Sequence, residues 1–196
     1  TVLLGGTSNL AIAAAFDDKL RYDPLRDFVF VGRIARIPWA FAVNAKLPIT
    51  TMTQLIQSAK ARPGELSYAS GALATQLAVE MLKAEVGIDV LRVPYKGTAP
   101  AVLDVASGRV DFTVADIAAM QPHVRAGNLR MLATTGRGRA RAVPDMPTVA
   151  EQGVPGYVTD SWNALVVPRD TPVESVRRLR QAMAKALLTA ELRDGL

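Results

Sequence analysis

Residues 66–100 read LSYASGALATQLAVEMLKAEVGIDVLRVPYKGTAP, and they spell a strand, a small-residue loop, a helix and a second strand with its own loop. Leu66–Ala69 is short and apolar enough for a buried strand. The small residues Ser70, Gly71, Ala72, Leu73, Ala74 and Thr75 then turn the chain into a helix carrying Leu77, Ala78, Met81, Leu82 and Val86. Thr75 is the expected N-cap. Such a helix start leaves backbone N–H groups unpaired at the positive end of the helix dipole, so an anion over Ser70–Thr75 needs no Lys or Arg. The second strand, Val90–Val93, runs into Pro94, Tyr95, Lys96, Gly97 and Thr98, with Thr98 as the next expected cap and Pro100 in the first helical turn. Strand–loop–helix repeated in this way is the pattern of a parallel α/β sheet, whose ligands sit at the carboxyl ends of the strands.

Neither loop is a nucleotide motif. The P-loop needs Gly, four residues and Gly-Lys-Ser/Thr, and the dinucleotide fingerprint needs three spaced glycines; the chain has neither. An ordinary βα turn is the competing reading of Ser70–Thr75, and a solvated rim is the competing reading of Tyr95-Lys96.

Composition sets the outer bounds. The chain has 196 residues, 49% of them hydrophobic and 21% charged, enough for one large domain or two small ones with cores of their own. A net charge of +5 suits an anionic ligand, but the basic residues are scattered. Arg137, Arg139 and Arg141 lie in a glycine-containing loop without the interleaved aromatics of a base-stacking surface, so nucleic acid is not the expected partner. The absence of cysteine removes disulfides, CxxC redox chemistry and cysteine zinc sites. No run of about 18 apolar residues suggests a membrane span, and no signal peptide is visible in this chain.

Elsewhere, Val2–Leu4 reads as a strand followed by the small polar loop Gly5–Asn9, then a short helix over Leu10–Phe16 and two strands near Phe28–Ile34 and Trp39–Val43. The Pro48 region reads as a linker. Thr51 with Gln54 forms a capping box for a helix that Pro63-Gly64 stops. A helix from Ala101 to Gly108 precedes a strand over Val110–Val114 that ends at Asp116, the expected N-cap of a helix from Ile117. Pro122 and His123 start a second helical piece; Leu129–Ala133 is a strand; Thr148 and Glu151 box a short helix ended by Gly153. Tyr157–Val167 is extended, and the helix opened by Thr171-Pro172 places Val173, Val176, Leu179, Met183 and Leu187 on one face. His123, the only histidine, has no carboxylate or serine at triad spacing. With no nucleophile–base pair, metal cluster or spaced carboxylate pair, the chain does not read as an enzyme, and no cofactor or metal is expected.

Several phrases in order, LLGGTSNLAI, RYDPLRDF, LSYASG, VPYKGTAPAVLDVASGRVDF, PHVRAGNLRMLATTG, PDMPTVAEQGVPGY and SWNALVVP, resemble the substrate-binding proteins of tripartite tricarboxylate transporters, the Bug family of periplasmic solute receptors. The resemblance covers nearly the whole chain. It implies a two-domain α/β fold of the type II periplasmic-binding-protein kind, each domain a mostly parallel sheet flanked by helices, joined by two crossovers and closing over a ligand. Mapped by its motifs, the first domain is 1–47 plus 160–196 and the second 48–159.

The family pattern places a strand, a glycine-rich loop and a helix ahead of Thr1, and more helix after Leu196, so the first domain is expected to be incomplete. The implied ligand-binding residues are Thr7 and Ser8, the loop Ser70, Gly71, Ala72, Ala74 and Thr75, then Tyr95, Lys96, Gly97 and Asp116, with Trp162 near the crossover. Ala72, Leu73 and Ala74 stand where many relatives have polar residues. The implied function is capture of a small carboxylate, whether dicarboxylate, tricarboxylate or acidic amino acid, for delivery to membrane permease subunits from the periplasm. Self-association through the first domain is a further expectation. The alternative is the effector-sensing domain of a LysR-type regulator, which resembles the same fold but needs a helix-turn-helix ahead of it.

Overall fold

The computed structural model describes residues 1–195. In chain order it holds β1 (Leu3–Gly6), a π-helical turn Ser8–Ile12, α1 (Ala13–Phe16), β2 (Phe28–Asn44), α2 (Met52–Ala61), β3 (Ser67–Ser70) and α3 (Leu73–Val86). After these come β4 (Leu91–Pro94), α4 (Thr98–Ser107), β5 (Phe112–Asp116), α5 (Ile117–Arg125), β6 (Leu129–Thr134), β7 (Asp160–Pro168), α6 (Val173–Ala186) and α7 (Ala190–Gly195). The chain forms two compact units, Thr1–Arg36 with Ser161–Leu196, and Ile37–Asp160.

In the second unit the strands lie in the order β6–β2–β5–β3–β4. β3 is parallel to both β4 and β5, whereas β2 runs antiparallel to β5 and β6. The α/β class holds: β3, β4, β5 and β6 share one direction and β2 alone runs against them, so the sheet is mixed through a single reversed strand. Helices cover both faces, so strand residues are buried on each side and the pattern alternates in size instead of polarity. Phe41, Tyr68 and Phe112 point to the α2/α3 side with Leu55, Val79 and Leu82. Ala40, Ala42, Ala69 and Ala115 point to the α4/α5 side with Val102, Val105 and Met120. The aromatic rings stack, Tyr68 on Phe112 at 5.7 Å and Phe41 on Phe112 at 6.5 Å between centroids. Asn44 locks α4 to the sheet by donating to the Val105 and Ala106 carbonyls at 2.8 and 3.2 Å.

The first unit has the sheet order β1–β7–β2, with β1 antiparallel to β7 from Leu3↔Val166 to Gly6↔Asn163. Its main buried cluster is small, Val31, Val167 and Val176, with Leu179 and Met183 packed partly against it. The expected α6 face is thus only partly used, since Val173 is 85% exposed.

Several local expectations differ from the structure. The two strands expected on either side of Pro38 are one 17-residue strand. A proline gives up one ladder donor, and here the next donor, the Trp39 amide, is satisfied by the Thr135 hydroxyl at 3.0 Å. Pro122 lies inside α5 instead of starting a new helix. Thr148 and Glu151 form the reciprocal pair of a capping box, but the residues after them make turns without a helix. The Thr148 amide holds the Glu151 carboxyl below its ordinary range, with Arg139 adding to the effect. The extended segment expected from Tyr157 becomes a strand only at Asp160.

Two tyrosines of the second unit carry a pH signature. Tyr157 is buried, with its hydroxyl donating to the Ala78 carbonyl at 2.6 Å, and burial pushes its pKa up. Tyr68 is pushed up by burial and then by its 2.6 Å bond to Glu80. A phenol whose folded pKa is raised stabilises the fold fully below about pH 10, its unfolded value, and loses that contribution as pH rises. Urea unfolding is therefore expected to show a flat midpoint up to about pH 9 and a steep fall above about pH 10. The slope should be about 1.4 kcal/mol per pH unit for each ring that must stay protonated. A midpoint unchanged up to about pH 11.5 would contradict this.

Candidate functional site

In the second unit three βα junctions meet at one edge. β3, β4 and β5 are adjacent, with β3 parallel to each of the others, so their carboxyl ends lie side by side. From these ends start α3, α4 and α5, at N-caps Ala72, Gly97 and Asp116. None of the three starts receives a side-chain capping bond. The first-turn amides of three neighbouring helices are thus left without a side-chain acceptor, at the positive ends of their dipoles.

The expected caps are corrected accordingly. Thr75 is not the N-cap of α3; it lies in the first turn, buried, and its hydroxyl donates back to the Ala72 carbonyl at 3.0 Å. Thr98 is the first residue of α4, after the cap Gly97, whose φ of +117° suits a residue without Cβ. Asp116 does occupy the cap position of α5, exposed, without bonding the helix start.

The first two junctions are locked together. The Tyr95 amide donates to the Ser70 carbonyl at 2.8 Å. Gly71 lies directly on the Gly97–Thr98 backbone, so that a Cβ at Gly71 would come within 2.7 Å of the Thr98 amide nitrogen. Ser70 is buried and its hydroxyl reaches only the Ala72 carbonyl, at a long 3.5 Å. Ala72 and Leu73 are exposed, Ala74 half-buried, and Lys96 exposed. The Tyr95 hydroxyl is engaged, donating to Asp104 at 2.8 Å. Ser70, Gly71, Ala72, Ala74, Thr75, Tyr95, Lys96, Gly97 and Asp116 therefore lie at one sheet edge, where the donors are main-chain amides and the exposed Lys96 ammonium, and where Ala72–Ala74 present an aliphatic surface beside the exposed Asp116 carboxylate. Trp39, which the sequence did not single out, faces Asp116 across the β2–β5 ladder and is bonded to Thr135.

The residues of the first unit form a cluster of their own. The Thr7 hydroxyl accepts from the Trp162 amide at 2.9 Å and lies 3.4 Å from the Ser161 hydroxyl. Asn9 accepts from the Gly6 amide at 2.7 Å, shaping the turn after β1. Ser8 is exposed, and the Trp162 ring tilts against Phe30 at 6.4 Å. The sequence does not reveal Ser161, because its contact with Thr7, 154 residues away, depends on β1 pairing with β7. No group of three or more His, Cys, Asp or Glu side chains among the described residues could hold a metal ion.

Comparison with known proteins gives the geometry its context. BugT of Bordetella pertussis is 34% identical over 190 residues, 95% of this chain and 58% of its own length. A solved structure of R. palustris Rpa4515 with adipate is 38% identical, with a TM-score of 0.82 over 97% of this chain and 64% of that one. MatC (Rpa3494) from Rhodopseudomonas palustris, with bound malate, is 27% identical, with a TM-score of 0.76 over 98% of this chain and 66% of that one. The chain thus spans about three fifths of the length of BugT. The model of the tripartite tricarboxylate transporter family receptor matches residues 1–196. That family is one of substrate-binding receptors rather than enzymes, and with the whole chain matched the regulator alternative is set aside. The chain belongs to the tripartite tricarboxylate transporter receptor family.

Proposed function

We infer that this chain is part of a periplasmic solute receptor that captures a small dicarboxylate and delivers it to a membrane permease. The observation that carries this reading is the edge where α3, α4 and α5 begin side by side, each without a side-chain cap. Such an arrangement attracts a carboxylate through main-chain amides and aligned dipoles, and needs no fixed cation. The aliphatic Ala72, Leu73 and Ala74 suit a methylene chain better than a hydroxylated one. The adipate bound by Rpa4515 and the malate bound by MatC are consistent with this chemistry. Thr7, Ser8 and Trp162 are proposed as ligand-contacting residues of the first unit. The domain assignment, 48–159 for the second domain and 1–47 with 160–196 for the first, is part of the same proposal.

The reading predicts a selective response in a two-dimensional NMR titration of the 196-residue chain. Adipate at millimolar concentration should shift the amides of residues 71–75, 97–99 and 117–119, and adipamide, which has the same chain length without charge, should not. Malate should act more weakly than adipate. Equal shifts with adipamide, or shifts confined to other surfaces, would contradict the proposal.

A further inference from the structure

The loop between β4 and α4 is held by a chain of contacts that leads away from the proposed ligand edge. Tyr95 is tied at both ends. Its amide donates to the Ser70 carbonyl and its hydroxyl to Asp104 Oδ2, each at 2.8 Å. The other carboxylate oxygen, Oδ1, accepts from Arg109 Nη1 at 2.7 Å, and the Arg109 amide donates to the Asp104 carbonyl at 3.0 Å. The ring of Tyr95 packs against the core on the α4 side. The path therefore runs from the Ser70 carbonyl through Tyr95 to Asp104 in the body of α4, and on to the residue just past the helix end.

This arrangement has more precision than an exposed ion pair requires. Arg109 is 72% exposed along its side chain, and such a pair by itself adds little to stability. What Asp104 adds is direction, because a tyrosine hydroxyl held by a carboxylate fixes the ring and the backbone beside it. That backbone needs holding. Gly97 has φ +117°, and its carbonyl and the following amide lie against Gly71. The acid–base state agrees with this role: the bonds from Tyr95 and then Arg109 keep the Asp104 carboxyl below its ordinary range, so it is an acceptor at neutral pH.

The geometry points to Asp104, steadied by Arg109, as a positioning residue for ligand binding: through Tyr95 it presets the Pro94–Thr98 loop against Ser70–Gly71, so that their main-chain amides are aligned before the acid arrives. The inference rests on the receptor reading above. It also assigns the Tyr95 hydroxyl to the protein instead of the ligand. Preorganised donors bind more tightly because less order has to be created on binding.

The test is a double-mutant cycle read by adipate titration of the 196-residue chain, with amide hydrogen exchange as a second readout. Tyr95→Phe and Asp104→Ala should each weaken adipate about tenfold, the effect of one charge-assisted hydrogen bond, and the double variant should lose no more than either single change. Asp104→Asn, which keeps an acceptor for the hydroxyl, should recover part of the affinity. Exchange at the Gly97 and Thr98 amides should quicken in both single variants while the β2 and β5 amides stay protected. Weakening by Tyr95→Phe but not by Asp104→Ala would place the hydroxyl on the ligand and overturn the inference. Additive losses, or unchanged affinity in both variants, would overturn it equally. Failure of the receptor reading itself looks different: the parent chain would respond to no carboxylate at all.

Discussion

Gly71→Ala is expected to abolish the adipate-induced amide shifts and to cost the second unit about 2–3 kcal/mol of stability. The added Cβ would fall 2.7 Å from the Thr98 amide nitrogen and also overlap the Gly97 carbonyl. Both obstacles are backbone atoms, so no rotamer change relieves them. Relief requires β3 and β4 to separate at their carboxyl ends, which stretches the bond from the Tyr95 amide to the Ser70 carbonyl. A shift of this kind moves the starts of α3 and α4 relative to one another, so the loss of binding should exceed a hundredfold, equivalent to about 3 kcal/mol. Gly138→Ala is the control, because a Cβ there meets nothing within 4 Å and its φ is not positive. Urea midpoints and NMR titrations of the two variants check the expectation. Full binding by Gly71→Ala would show that the two loops need not stay in register.

The legibility of this contact in the sequence was uneven, for physical reasons. Gly71 and Gly97 were visible as small residues at strand ends, since a strand–loop–helix repeat is a local pattern carried by adjacent residues. Their mutual contact was not, because it depends on β3 and β4 being parallel neighbours with Ser70 opposite Pro94. The sequence places the start of α3 three residues late and that of α4 one residue late, for a related reason. A threonine is a good cap by propensity, but Thr75 meets the helix start from inside the first turn and bonds backwards to Ala72. The run of β2 through Pro38 was hidden because the compensation comes from Thr135, 96 residues from Trp39. Asp104 went unnoticed altogether, as a charged residue in a helix reads as solvated surface until the Tyr95 hydroxyl is found on it. The mixed direction of the sheet was equally out of reach, because apolar runs give strand positions and say nothing about the sense in which a distant strand is laid down. Ligand-contact roles for the individual residues stay with the family resemblance.

The two units are expected to differ by about 3 kcal/mol or more in the free energy that opens them, with the first unit exchanging its amides faster. The second unit is built on two extensive buried clusters, one on each face of its sheet, that include Phe41, Tyr68, Phe112, Leu55 and Leu82 on one side and Val102, Val105 and Met120 on the other. The main cluster of the first unit is Val31, Val167 and Val176. At about 25 cal/mol for each Å² of apolar surface removed from water, the difference of a few large side chains is enough to separate the two. The first unit also leaves Leu4 60%, Phe16 62% and Leu25 83% exposed, so its apolar residues contribute less to folding than their number suggests. Its polar ties offset this only in part. Arg180 donates to the Phe30 and Val31 carbonyls at 2.9 and 3.1 Å, and net hydrogen-bond contributions are about 1 kcal/mol apiece. Residue-resolved hydrogen exchange in graded urea should therefore show the amides of β1, β7 and α6 opening together at low denaturant, while those of β3, β5 and α3 stay protected until the global transition. One cooperative transition with equal protection in both units would mean that the chain folds as a single block and that the small valine cluster is not its weak point.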